Sequence, residues 1–174
     1  MENFMEIRLA EKKDIDRIMQ IISDARESIG RLGIDQWQYG YPTRDIIKED
    51  VALSRSYVVV EDGEICATFA LIDNGEPSYN KIYGGAWLSD EKYIAFHRIA
   101  LATQSRGRGV ATEIIGFLSD YAVKNGFESI KVDTHTGNIP MRKMLEKNGF
   151  EYCGTIRLLD GQPRVAYEKL INKE

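Results

Sequence analysis

The sequence predicts an α/β (α+β) domain built on a single mixed, mainly antiparallel sheet flanked by helices. Three observations predict it. Helical patterns and β-rich runs follow one another in the order β-α-α-β-β-β-β-α-β-α-β-β. Asp62-Gly63 separates two of the β-rich runs, which signals a hairpin. The 174 residues contain no linker or low-complexity tract, so residues 1–174 form one domain with room for a real core.

The elements justify that order in turn. Residues 6–10 are a short strand. Ile15, Ile18, Met19, Ile22, Ala25 and Ile29 then share one helical face, with Asp14 as its cap and Gly30 and Gly33 as its end. Residues 33–42 carry Trp37, Tyr39 and Tyr41. Thr43 caps a second helix reaching about residue 53, with Ile46, Ile47 and Val51 inward. Residues 57–60 and 65–72 are the hairpin strands. The polar, glycine-containing stretch 73–90 is too long for a tight turn, so it carries a short helix or covers a site.

Residues 93–102 are the fourth strand. In the helix that follows, Val110, Ile114, Leu118 and Tyr121 line one face. Lys124-Asn-Gly-Phe127 closes this helix, and Lys147-Asn-Gly-Phe150 closes the next. Glycine accepts the left-handed C-cap and the lysine suits the negative helix end. The last strands are 152–158 and 164–170, joined by a turn at Asp160-Gly-Gln-Pro163.

Between the fourth strand and its helix lies Ser105-Arg-Gly-Arg-Gly-Val-Ala-Thr112. Gly107 and Gly109 let backbone N–H groups approach a ligand, the helix points its positive end at the same spot, and Arg106 and Arg108 add charge. Together these make a phosphate cradle. It is not a Walker A loop, because no Gly-Lys pair occurs. It is not a dinucleotide fingerprint, because Thr112 stands where the third glycine belongs.

Arg106-Gly-Arg-Gly-Val-Ala111 resembles the Arg-x-x-Gly-x-Gly/Ala pattern of the GNAT superfamily of acyl-CoA N-acyltransferases. The likeness continues through the strand 130–135, Asn138, the helix 139–147 and Gly149-Phe150. It implies the GNAT fold and an acetyl-CoA-dependent N-acetyltransferase acting on a small-molecule or peptide amine. It also implies that Arg106, Gly107, Arg108, Gly109, Val110, Ala111 and Thr112 hold the pyrophosphate of coenzyme A. The pantetheine arm would lie along Ile99, Ala100 and Leu101, where a backbone N–H can polarise the thioester carbonyl. Asn138 caps the last helix by its own chemistry; the resemblance adds a contact to the coenzyme A arm.

An amine acceptor with a pKa near 10.4 is mostly protonated at pH 7, and releasing that proton costs about 4.6 kcal/mol. A base is therefore useful. The resemblance places it on the fourth or fifth strand, which offers His97, or Asp133 with His135. Strand alternation puts Asp133 and His135 on one face. Each has a structural alternative: a half-buried histidine for His97, and a polar pair orienting the next loop for the other two. Trp37, Tyr39 and Tyr41 fall where the family walls its acceptor site, and their π faces suit a cationic amine. A packed loop or a dimer contact is the competing reading, as it is for Tyr83-Gly-Gly-Ala-Trp87.

One position departs from the family. The tyrosine often used as general acid before Glu-Lys-x-Gly-Phe is Leu145 here. That substitution keeps a second reading open, a non-catalytic acyl-CoA-binding module. A homodimer is an expectation from the family.

The net charge of -4 argues against a general grip on nucleic acid. Two lone cysteines, Cys66 and Cys153, suggest a reducing compartment, and no metal-ligand spacing is present. No apolar run approaches a membrane span and residues 1–14 lack a signal-peptide core, so the expected location is cytoplasmic with no membrane partner.

Overall fold

A computed structural model describes residues 5–171. The strands are β1 (Met5–Leu9), β2 (Ser56–Glu61), β3 (Glu64–Ile72), β4 (Tyr93–Leu101), β5 (Ser129–Thr134), β6 (Glu151–Arg157) and β7 (Pro163–Leu170). The helices are α1 (Ile15–Gly30), α2 (Arg44–Ala52), α3 (Val110–Asn125) and α4 (Ile139–Lys147). One seven-stranded sheet has the order β1-β2-β3-β4-β5-β7-β6. The pairing of β4 with β5 is parallel, from Tyr93↔Ser129 to Ala95↔Lys131. The pairs β1/β2, β2/β3, β5/β7 and β6/β7 are antiparallel. The expected order held one strand too many: three strands, not four, lie between α2 and α3, and they are the three whose residue ranges the sequence marks.

The chain divides into two compact units, residues 1–71 with 97–114, and residues 72–96 with 115–174. The first unit packs α1 and α2 on the sheet. Ile15, Ile18, Ile21, Ile22 and Ala25 of α1 and Ile47 of α2 meet Val58, Ala100 and Ala102 in one apolar cluster. The hairpin turn has φ of +51° at Asp62 and +84° at Gly63, the two positive values that a type I′ turn requires.

Asp14 does not cap α1 with its side chain. Its carboxylate instead closes a 3₁₀ turn over Lys12–Asp14, accepting from the Glu11 N–H at 2.8 Å, and takes both nitrogens of the Arg8 fork at 2.8 and 3.2 Å. Two groups compete for one acidic side chain, and the strand arginine and turn win over the helix start.

The second unit uses the loop 73–92 as the cover of its own sheet face. A 3₁₀ turn, Pro77–Asn80, buries Tyr79, which packs with Ile72, Ala95, Ile156 and Ala166. Tyr83 and Thr155 exchange two backbone hydrogen bonds of 2.8 Å, stitching the loop to β6. Both Lys-Asn-Gly-Phe segments end their helices alike: Gly126 and Gly149 have φ of +78° and +88°, and Phe127 and Phe150 donate back to Ala122 and Leu145. These are the six-to-one bonds of a Schellman close.

Among the described residues, no helix is long and apolar enough to cross a membrane, and no group of three His, Cys, Asp or Glu could hold a metal.

The Arg8 hydrogen bonds hold the Asp14 carboxyl below its ordinary range. Its stabilising contribution is therefore complete above the unfolded pKa of about 3.9 and is lost as pH falls through the lower folded value. Asp14→Asn should cost about 2 kcal/mol at pH 7. In urea titrations the gap between wild type and variant should close as pH drops below about 4; a gap constant with pH would contradict the assignment.

Candidate active site

In the first unit, β4 carries the site towards its glycine turn. The run Tyr93–Leu101 is apolar except for His97 and Arg98, and Arg98 has φ of +53°. A side chain with Cβ seldom adopts that value, least of all inside a strand. The kink ends simple alternation, so His97, Arg98 and Ile99 are all half-buried in succession. Ala100 is buried under the α1 cluster. Ala102 is buried too, and its N–H donates to the Cys66 carbonyl at 2.8 Å.

A 3₁₀ turn, Thr103–Ser105, leads into the cradle. Gly107 and Gly109 have φ of +74° and +83°, and each faces open space where a Cβ would stand. Both glycines are thus required by backbone conformation. Helix α3 begins at Val110, whose side chain is buried, and the first turn of any helix leaves N–H groups without intrahelical carbonyls. Ala111 is half-buried and Thr112 exposed.

The two arginines divide their roles. Arg106 donates to the Ser28 hydroxyl of α1 at 2.6 Å, a neutral partner, and makes no ion pair among the described residues. Arg108 pairs with Glu61 of β2 at 2.8 Å, where the carboxylate is nearly buried. Two left-handed glycines, a helix start and the Arg106 cation suit a pyrophosphate. The Arg108 pair with Glu61 also ties the turn to the sheet.

The segment joining α1 and α2 belongs to the same unit. Arg26 ties it down by donating to the carbonyls of Trp37, Gly40 and Pro42 at 3.0, 3.2 and 3.1 Å. Trp37 packs against the α1 cluster, Tyr39 is 85% exposed, and the Tyr41 hydroxyl accepts from Arg98 at 3.0 Å. Arg98 also makes a two-pronged ion pair with Asp50 of α2 at 2.7 and 2.8 Å. Burial works against the Arg98 charge, yet Tyr41 and Asp50 together raise its pKa above the ordinary value.

The second unit holds the other expected residues. Asp133 of β5 accepts from the buried Tyr79 hydroxyl at 2.6 Å. Burial and the Asp133 charge push the Tyr79 pKa well up, so it remains a proton donor to that carboxylate. His135 Nδ1 accepts from the Gly137 N–H at 2.9 Å, which leaves the proton of the neutral ring on Nε2. Asn138 caps α4 by accepting from the Met141 N–H at 3.3 Å. Leu145 is fully buried. The Tyr167 hydroxyl of β7 meets α4, accepting from Arg142 at 2.9 Å and donating to Glu146 at 3.4 Å.

Residue reading missed Asp50, Tyr79 and Arg98 as site partners. Asp50 had a signal, since it lies three residues after Ile47 and so shares the inward face of α2. Arg98 had one too, as a charge inside an apolar strand. Tyr79 had none, because its partner is 54 residues away. Lys131 was also missed. It is buried on β5 opposite Glu168, its ammonium 4.4 Å from the Trp87 ring centroid and 4.3 Å from that of Tyr93, and burial lowers its pKa. Both cysteines are buried and unbridged, and burial raises their pKa values, that of Cys153 to about 11. Neither is poised as a nucleophile.

The family model for the Acetyltransferase (GNAT) family matches residues 15–150. A GNAT-family acetyltransferase structure from Streptococcus agalactiae is 41% identical, with a TM-score of 0.90 over 97% of this chain and 96% of that one. A GNAT-family acetyltransferase from Listeria monocytogenes is 16% identical, with a TM-score of 0.73 over 97% and 99%. The ribosomal-protein-S18-alanine N-acetyltransferase from Escherichia coli is 13% identical, with a TM-score of 0.66 over 98% and 96%. The last two share the fold alone. No curated protein sequence matches.

Because Leu145 has no exposed surface, Leu145→Tyr should not supply a missing acid; it should overpack α4 and cost about 1–3 kcal/mol. Thermal unfolding checks this, and an unchanged midpoint would mean that the site has room for a ring.

Proposed function

This chain belongs to the GNAT acetyltransferase family, and from that premise we propose that it moves the acetyl group of acetyl-CoA to a primary amine. The acceptor is a small molecule or a peptide, and attack is direct, within a ternary complex. The observation that carries the reading is the paired left-handed glycines at the start of α3 beside the Arg106 charge.

Acetyl-CoA supplies the acetyl group as a thioester, whose carbonyl carbon gains the amine nitrogen as the carbon–sulfur bond breaks and the thiolate leaves. The α3 N–H groups and Arg106 bind the pyrophosphate. A backbone N–H of Ile99 to Leu101 polarises the carbonyl oxygen. The base is one of the three expected groups, His97, Asp133 or His135; the Asp133 carboxylate accepts from Tyr79 through one oxygen. His135 is disfavoured, since its Nδ1 lone pair already receives the Gly137 N–H. The amine proton passes to that base, directly or through water, and then to solvent. Trp37 serves the acceptor segment as a packed support and Tyr39 as an exposed aromatic face. The reading includes a cytoplasmic location, consistent with two unbridged thiols.

Leu145, buried where family members often carry a tyrosine acid, favours one second reading: an acyl-CoA-binding module without turnover.

Thiol release from acetyl-CoA against polyamines, amino acids, aminoglycosides and short peptides separates the two, with calorimetric titration of coenzyme A beside it. Turnover with one acceptor class is expected; binding without turnover on every acceptor supports the module. Arg106→Glu should weaken coenzyme A binding by about tenfold or more, about 1.4 kcal/mol. Unchanged affinity would remove the cradle assignment.

A further inference from the structure

The strained residue of β4 and the buried ion pair of α2 are parts of one device. Arg98 holds φ of +53° within a strand, a conformation that costs a residue with Cβ and persists only where its surroundings impose it. Those surroundings are specific. The Asp50 carboxylate takes both Nε and Nη2 of Arg98 at 2.7 and 2.8 Å, and Nη1 donates to the Tyr41 hydroxyl at 3.0 Å. The Asp50 and Arg98 side chains are only 5% and 13% exposed. A planar guanidinium gripped on three nitrogens has one orientation, which restricts the path of the side chain back to its own backbone. The grip is itself held, since Asp50 sits on α2 and Tyr41 sits in the segment that Arg26 fastens to α1.

A positive φ rotates the peptide unit relative to a regular strand, so the N–H direction beyond Arg98 is set by this clamp. We propose that Asp50 and Tyr41 are positioning residues for acyl transfer: by clamping Arg98 they hold β4 in the kink that aims the backbone N–H groups of Ile99 to Leu101 at the thioester carbonyl. The proposal rests on the acetyl-transfer reading above. It separates the clamp from a plain buried ion pair, because what matters is the backbone that the pair imposes rather than the charges.

Glycine makes that separation testable, as it adopts positive φ without a clamp and alanine does not. The probe is acetyl-CoA labelled with ¹³C at the acetyl carbonyl, whose resonance moves downfield when a hydrogen bond polarises it. Wild type, Asp50→Asn, and Asp50→Asn combined with Arg98→Gly or with Arg98→Ala are compared, with affinity measured by calorimetry. Wild type should displace the resonance from its free position. Asp50→Asn and the alanine double variant should return it towards the free value, with affinity within about threefold of wild type. The glycine double variant should restore the displacement. Tyr41→Phe, which leaves the ion pair in place, should give a partial return.

Identical resonances in the glycine and alanine double variants would overturn the proposal. So would a wild type that binds acetyl-CoA without moving its carbonyl resonance; in both cases the cofactor reading stands. A wild type that does not bind acetyl-CoA would overturn that reading, and the proposal with it.

Discussion

The backbone conformation of Arg98 is the constraint around which the candidate site of the first unit is arranged. Ile94, Ala95 and Phe96 of β4 are buried, and Arg98 takes a left-handed conformation. Beyond the turn, Ala100 and Ala102 lie under α1, the 3₁₀ turn follows, and the glycine cradle opens where α3 starts. Removing two charges from water for the Asp50–Arg98 pair carries a desolvation cost that good geometry offsets rather than exceeds. The pair is therefore weak evidence for stability in itself. The same economy governs the cradle, where a buried carboxylate, Glu61, engages Arg108 and leaves the neighbouring Arg106 with a neutral partner.

The second unit solves a different problem. Its sheet face carries the buried Lys131 on β5 and Glu168 on β7, with the half-buried Asp133 on β5. The loop 73–92 supplies what water would have supplied. Tyr79 donates to Asp133, Trp87 and Tyr93 flank the Lys131 ammonium, and the Leu88 N–H donates to Glu168 at 2.7 Å. Each partner is itself placed: the Trp87 ring nitrogen donates to the Tyr79 carbonyl at 2.8 Å. A stretch that looks like a long polar connection is in fact a packed cover, which explains its length.

Local chemistry was legible in the sequence where one residue type answers one backbone need. Asp62-Gly63, the two Lys-Asn-Gly-Phe closes, the Thr43 and Asn138 caps, and the Gly107–Gly109 turn all adopt the conformations their residues favour. Failures came where distant partners decide. Asp14 was read as a helix cap because its position fits one, but Arg8 and the Glu11 N–H claim its oxygens. The Arg98 kink is invisible to propensity, since an arginine rarely adopts positive φ, and its partners Asp50 and Tyr41 lie 48 and 57 residues away in the chain. The stretch 73–90, expected to carry a short helix or cover a site, does carry a short 3₁₀ turn, but nothing in its composition shows that this turn buries Tyr79. The cradle was readable as a motif, yet the unequal tasks of its arginines required knowing that Ser28 faces one and Glu61 the other.

The central claim is that the turn from Arg106 to Thr112 holds the pyrophosphate of coenzyme A. Backbone amide resonances followed by NMR during titration with coenzyme A test it most directly. The account predicts that the largest shifts fall on the N–H groups of residues 107–112. Saturable binding that leaves those amides unmoved would contradict it.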